Sequence, residues 1–118
     1  MNTINFFIRL QSQLRILHWQ TTSYARHMAY GGAYESISDL SDRFIEAYQG
    51  RYGRLEAEKS MDIANINDDK IDGLIDEALE FLNSNEKLDV KEKDKDLLTI
   101  RDEVIEALNK LKYLLTLE

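Results

Sequence analysis

Apolar residues recur at intervals of three and four along most of this 118-residue chain, and that is the period a helix imposes on a buried stripe. Ile4, Phe7, Leu10, Leu14 and Leu17 mark a first helix over residues 3–21. Tyr30, Tyr34, Ile37, Phe44, Ile45 and Tyr48 form a broad arc on a second helix over about 24–49. Ile71, Leu74, Ile75, Ala78, Leu79 and Leu82 stripe a third over about 68–82. Leu97, Val104, Leu108, Leu111 and Leu115 repeat near 3.5 residues in a fourth over about 90–116, the spacing of a bundle seam. No segment alternates with the two-residue period of a strand. The expected architecture is a single all-α domain over residues 1–118, folded as a four-helix bundle.

The breaks carry their own chemistry. Thr21, Thr22 and Ser23 are a polar stop, and any of them can cap the second helix. Gly31 and Gly32 sit inside that helix, where each costs roughly 1 kcal/mol against alanine. Close approach of a neighbouring helix is the natural reason for such a pair, and a bend or break is the alternative. Gly50 and Gly53, with Arg51 and Arg54, close the helix and complement its dipole. The same basic residues form a candidate anion patch. Residues 55–66 make a connector long enough to cross a bundle. Asn67 is placed to cap the third helix, Asn83–Asn85 to turn, and Asp89 with Glu92 to form a capping box for the fourth. Asp69, Asp72, Asp76, Glu77 and Glu80 read as a solvated face, with a path for cations as the alternative, and the mixed-sign run from Lys91 also reads as solvated.

Composition removes several classes of function. There is no cysteine, so disulfides and thiolate metal sites are excluded and a reducing cytoplasm is the expected setting. The N-terminus has no charged segment ahead of an apolar run, so it does not read as a secretory signal. No apolar run approaches the roughly 20 residues of a membrane span. The net charge is −7, and an acidic surface repels a phosphate backbone. No phosphate-cradling glycine loop, HExxH or GxSxG is present.

What remains is the stretch from His18 to Glu46. It holds both histidines, the single tryptophan and an Asp-x-x-x-Glu pair, Asp42 and Glu46. The two carboxylates lie one turn apart on a helix, where like charges repel slightly unless a cation intervenes. Two imidazoles and two carboxylates suit iron, with manganese or zinc as alternatives. For His18 the plain alternative is an imidazole packed at a helix end.

His18-Trp19 followed by His27, Asp42 and Glu46 resembles the ferroxidase signature of the Dps proteins, or mini-ferritins. The spacing from His27 to Asp42 and Glu46 matches that family without a gap. The interval from His18 to His27 is about three residues shorter, and Gly31 stands where the family has an aspartate. Glu35, one turn further on, is the candidate substitute. The resemblance covers roughly residues 5–54 and continues more weakly in the last helix, and the short form is like those of bacteriophages. It implies a ferritin-like bundle and a homo-oligomer, at least a dimer with a cage as the larger form. It also implies Fe(II) oxidation at a site where His18 and His27 of one subunit meet Asp42 and Glu46 of its mate, protecting against oxidative damage. A bundle-core di-iron site built from Glu-x-x-His is excluded by spelling, because Arg15 and Tyr24 precede the histidines by three. The Lys-rich tail with which many Dps proteins hold DNA has no counterpart here, which argues against DNA binding by that route. The alternative expectation, motivated by Gly31, is a phage structural or host-interaction protein that keeps the fold and a vestigial site, with virion association in place of a cytoplasmic role.

Overall fold

A computed structural model describes residues 1–117 and is helical throughout, with no strand among the described residues. The helices are α1 (Thr3–Gln20), α2 (Tyr24–Tyr52), α3 (Ile71–Asn83), the short α4 (Asn85–Leu88) and α5 (Lys95–Leu114). The all-α expectation holds.

α1 starts at Asn2, whose side chain accepts the Asn5 N–H at 3.0 Å, and it buries Phe6, Phe7, Leu10, Leu14 and Leu17. Thr21 turns extended, and Ser23 then caps α2 by accepting the Arg26 N–H at 3.2 Å. Three residues between two helices force a hairpin. Phe7 packs on Phe44, and Gln11 donates to Ser41 Oγ at 2.9 Å, so the numbering runs in opposite directions. α2 does not break at Gly31–Gly32; it runs on to Tyr52 and stops at Gly53, whose φ of 91° is the left-handed termination that only glycine takes easily.

Residues 54–67 carry no helix. They are strapped along the outside of α1 by its polar side chains. Asn5 accepts the Glu58 N–H at 2.7 Å, Arg9 donates to the Asp62 carbonyl at 3.2 Å, and buried Gln13 both donates to and accepts from the Ala64 backbone. The connector therefore travels the length of the domain before α3 begins. Phe6 stacks on Phe81 with centroids 4.1 Å apart, and Arg9 pairs with Glu77. α3 thus runs antiparallel to α1 and parallel to α2. α5 returns antiparallel to α2, with Arg43 on Glu103 and Arg51 on Asp96.

Several boundaries differ from the sequence pattern. The third helix opens with a 3-10 turn, Asp68–Lys70, and Asn67 precedes it without a side-chain cap. Ser84 does not simply turn the chain; its hydroxyl caps α4 by accepting the Lys87 N–H at 3.1 Å. Asp89 does not open the last helix. It ends α4 with φ 62°, and α5 begins only at Lys95. The reason is tertiary: Tyr48 and Tyr52, one turn apart on α2, donate to Asp89 and Asp94, pinning the loop between α4 and α5. Asp94 is fully buried, so it is not part of a solvated charge run. Burial opposes its charge, but the Tyr52 hydroxyl, the Lys91 N–H and the Arg51 guanidinium outweigh that and hold its pKa below the ordinary carboxylate value. Arg51 reaches both Asp94 and Asp96, so its guanidinium is already occupied and the anion patch loses its first member.

Candidate functional site

The α1–α2 hairpin brings both histidines together at its closed end. Their rings stack with centroids 3.9 Å apart and planes 17° from parallel. His18 Nδ1 lies 2.8 Å from the His27 carbonyl oxygen, and His27 Nδ1 lies 2.8 Å from the His18 carbonyl oxygen. A carbonyl only accepts, so each Nδ1 carries the hydrogen and donates it. The bonds are reciprocal across the turn. The one from His27 satisfies a carbonyl left without an N–H partner where α1 ends. In the neutral ring this leaves each Nε2 with a free lone pair, the tautomer a metal-binding imidazole needs, held by a carbonyl as such rings usually are. Stacked rings keep their lone pairs in nearly parallel planes, so the two nitrogens do not converge on one ion within the chain.

Gly31 explains how the rings fit. A Cβ there would stand 2.9 Å from His18 Cε1 and 3.0 Å from His18 Nδ1. The close approach expected of this glycine is an imidazole of α1 lying against α2. Gly32 has nothing within 4 Å of the corresponding position, and no contact among the described residues accounts for it.

Asp42 and Glu46 are exposed on α2, farther along the same helix. Fifteen residues of helix separate Asp42 from His27, a rise of roughly 22 Å. Asp42 lines a groove between α1 and α2 with Ile4, Ile8, Gln11 and Ile45. Glu35 is also exposed and borders a separate groove between α2 and α5, beside Gly32, Asp39 and Lys110. Among the described residues no three His, Asp or Glu side chains of one chain gather as a metal site. The structure unites the two histidines and leaves all three carboxylates apart from them.

Next to the pair, Trp19 is 70% exposed and so is no core residue. Arg15 places its guanidinium 3.8 Å from the Tyr34 ring centroid and 5.4 Å from that of Trp19. This cation–π stack lines a shallow groove with Ile8, Gln11 and Ser12 that continues into the one holding Asp42. The four-residue spacing of Arg15 and Trp19 was the available sequence signal. On the other side of the hairpin, Tyr30 donates to Asp68 at 2.9 Å and Thr21 donates to the same carboxylate at 2.8 Å, fixing the end of the connector. Burial pushes the Tyr30 phenol up to about 12.

The molecule is thus an all-α protein with a two-histidine clamp at the closed end of its first hairpin. Residues 18–115 match the model of a family of unknown function, DUF5856, and the chain belongs to that family. It is similar to an uncharacterized 14.6 kDa protein in the mobD-ri intergenic region of Enterobacteria phage T4, with 31% identity over 115 residues, covering 98% of this chain and 86% of the relative. No solved structure matches. No helix among the described residues is long and apolar enough to cross a membrane.

Proposed function

We propose that this protein is a ferritin-like four-helix bundle that binds and oxidises Fe(II) between subunits, with Mn(II) or Zn(II) as alternative ions. The observation carrying the reading is the reciprocal Nδ1 clamp, which engages both Nδ1 atoms and leaves the Nε2 atom of each stacked ring outside it, one for each of two ions. The fold supports it: a hairpin, one long crossover and a second pair make helices two and three parallel, the connectivity of ferritin-like bundles. His18 and His27 of one subunit, with Asp42 and Glu46 of its mate, make a nitrogen–oxygen donor set fit for iron. Glu35 faces another groove and ranks below them as a ligand. Iron is the substrate here. Two Fe(II) ions, one hydrogen peroxide and two waters give two ferric oxyhydroxide units and four protons, which removes the peroxide. Dioxygen is the alternative oxidant.

The arrangement calls for an isologous pair of subunits. If α2 packs antiparallel to its copy so that His27 meets Asp42 and Glu46, the two-fold axis crosses α2 midway, near residues 34–38. Tyr34 and Ser38 line the outer groove at that point, on the same face as Arg15 and Trp19. Anaerobic titration with Fe(II), followed by oxidant, should give a ferric absorbance that His27→Ala and Asp42→Ala abolish. Absence of saturable Fe(II) binding by the intact protein would overturn the proposal.

A second reading also has an observation behind it. The same clamp ties the end of α1 to α2, a structural task that needs no metal, and the relative is a phage protein. A phage structural or host-interaction role would follow. Replacing either histidine would then lower the melting temperature and leave every metal response unchanged.

A further inference from the structure

We propose that Gly31 is the positioning residue of the histidine pair, selecting through His18 the imidazole tautomer that leaves Nε2 open to a ligand. The inference rests on the metal-binding reading and specifies how this chain prepares its site. Glycine disfavours helix, and α2 carries two in succession at a point where it continues unbroken. Only one of them has a neighbour. The Cβ that any other residue would bring to position 31 falls 2.9 Å from Cε1 and 3.0 Å from Nδ1 of His18, while position 32 is open to 4 Å. Nδ1 is the atom that donates to the His27 carbonyl at 2.8 Å, and its ring is stacked on the other imidazole at 3.9 Å. Moving the ring away from a side chain at 31 therefore lengthens the bond or opens the stack. A glycine here lets one imidazole keep both contacts. On this account the residue is required for the ligand geometry, and its presence is no sign that the site has decayed.

The test compares Gly31→Ala with Gly32→Ala. In metal-free, 15N-labelled protein near neutral pH, imidazole correlation spectra of the unaltered chain should show both histidines as the Nδ1–H tautomer. Gly32→Ala should keep that pattern. Gly31→Ala should move His18 toward the Nε2–H form that free imidazole favours and weaken anaerobic Fe(II) binding by roughly 10–100-fold, the range for lost outer-shell support. Unchanged tautomers in Gly31→Ala overturn the proposal, as does unchanged Fe(II) affinity. If the unaltered chain binds no Fe(II) while Gly31→Ala still shifts the His18 tautomer, the metal reading fails and the hold of Gly31 on His18 stands. Stability gives a second route that tolerates a poorly folding variant. Alanine at 31 should raise the melting temperature in a His18→Ala background, where the ring is gone, and should not raise it when His18 is present. Equal effects in the two backgrounds contradict the clash.

Discussion

Replacing His27 by alanine separates the two readings of the hairpin, and its size can be worked from the contacts. The change removes one hydrogen bond, from Nδ1 to the His18 carbonyl at 2.8 Å, worth about 0.5–1.5 kcal/mol net. It also removes the ring stack at 3.9 Å, worth about 0.5–1.5 kcal/mol by analogy with aromatic pairs. The bond from His18 to the His27 carbonyl is to backbone and survives. Both rings are only half-buried, so little cavity penalty is added. The total is about 1–3 kcal/mol, or a fall of roughly 5–15 °C in melting temperature for a domain of this size. Circular dichroism melts measure it. Repeating the melts anaerobically with Fe(II) at 100 times its dissociation constant should stabilise the unaltered protein by about 2.7 kcal/mol and the variant not at all. A variant that melts with the parent would refute the clamp. A variant that melts lower but responds equally to Fe(II) would refute His27 as a ligand and favour the structural role.

Three more outcomes follow from the same geometry. The chain has no cysteine, so Ser38→Cys should cross-link to its own copy under mild oxidation if the two-fold axis passes beside it; a strictly monomeric product counts against that packing. Gln13→Ala cuts both hydrogen bonds between α1 and Ala64 and should cost about 1–3 kcal/mol in urea unfolding, with an unchanged midpoint speaking against the strap. The Tyr30 and Tyr48 phenols are both pushed from 10.0 to about 12, first by burial and then by carboxylates beside them. A raised folded value favours the neutral phenol, so stability holds below the unfolded value near 10 and falls as pH climbs through about 12. Melts across that window should show the fall, Tyr48→Phe should reduce it and the double change with Tyr30→Phe should reduce it further; a flat profile in the parent contradicts the assignment.

The helical period made α1, α2, α3 and α5 legible in the sequence, because each buries a stripe that local spacing spells out. The stretch from Ser84 to Asp94 was not legible. Its path is decided by Tyr48 and Tyr52, more than forty residues earlier, which hold Asp89 at the surface and Asp94 in the interior by hydrogen bonds. A capping pattern read locally at Asp89 and Glu92 carries no trace of those partners. The site divides in the same way. Two histidines flanking a tight turn announced themselves by spacing, and the hairpin does bring them together. The role of Gly31 lay in a contact with a ring thirteen residues earlier, so spacing alone made it look like a missing ligand. Asp42 and Glu46 were legible as one face of a helix, and the structure leaves both exposed there, away from the histidines.

The most direct test of a shared site is subunit complementation. His27→Ala and Asp42→Ala are each prepared, then unfolded together in equal amounts, refolded, and titrated anaerobically with Fe(II). Neither variant alone should bind. In the mixture, half the dimers are mixed and each mixed dimer regains one intact site of two, so about a quarter of the parent's Fe(II) capacity should return. Mixed dimers that form but recover no binding would contradict a metal site built across two chains.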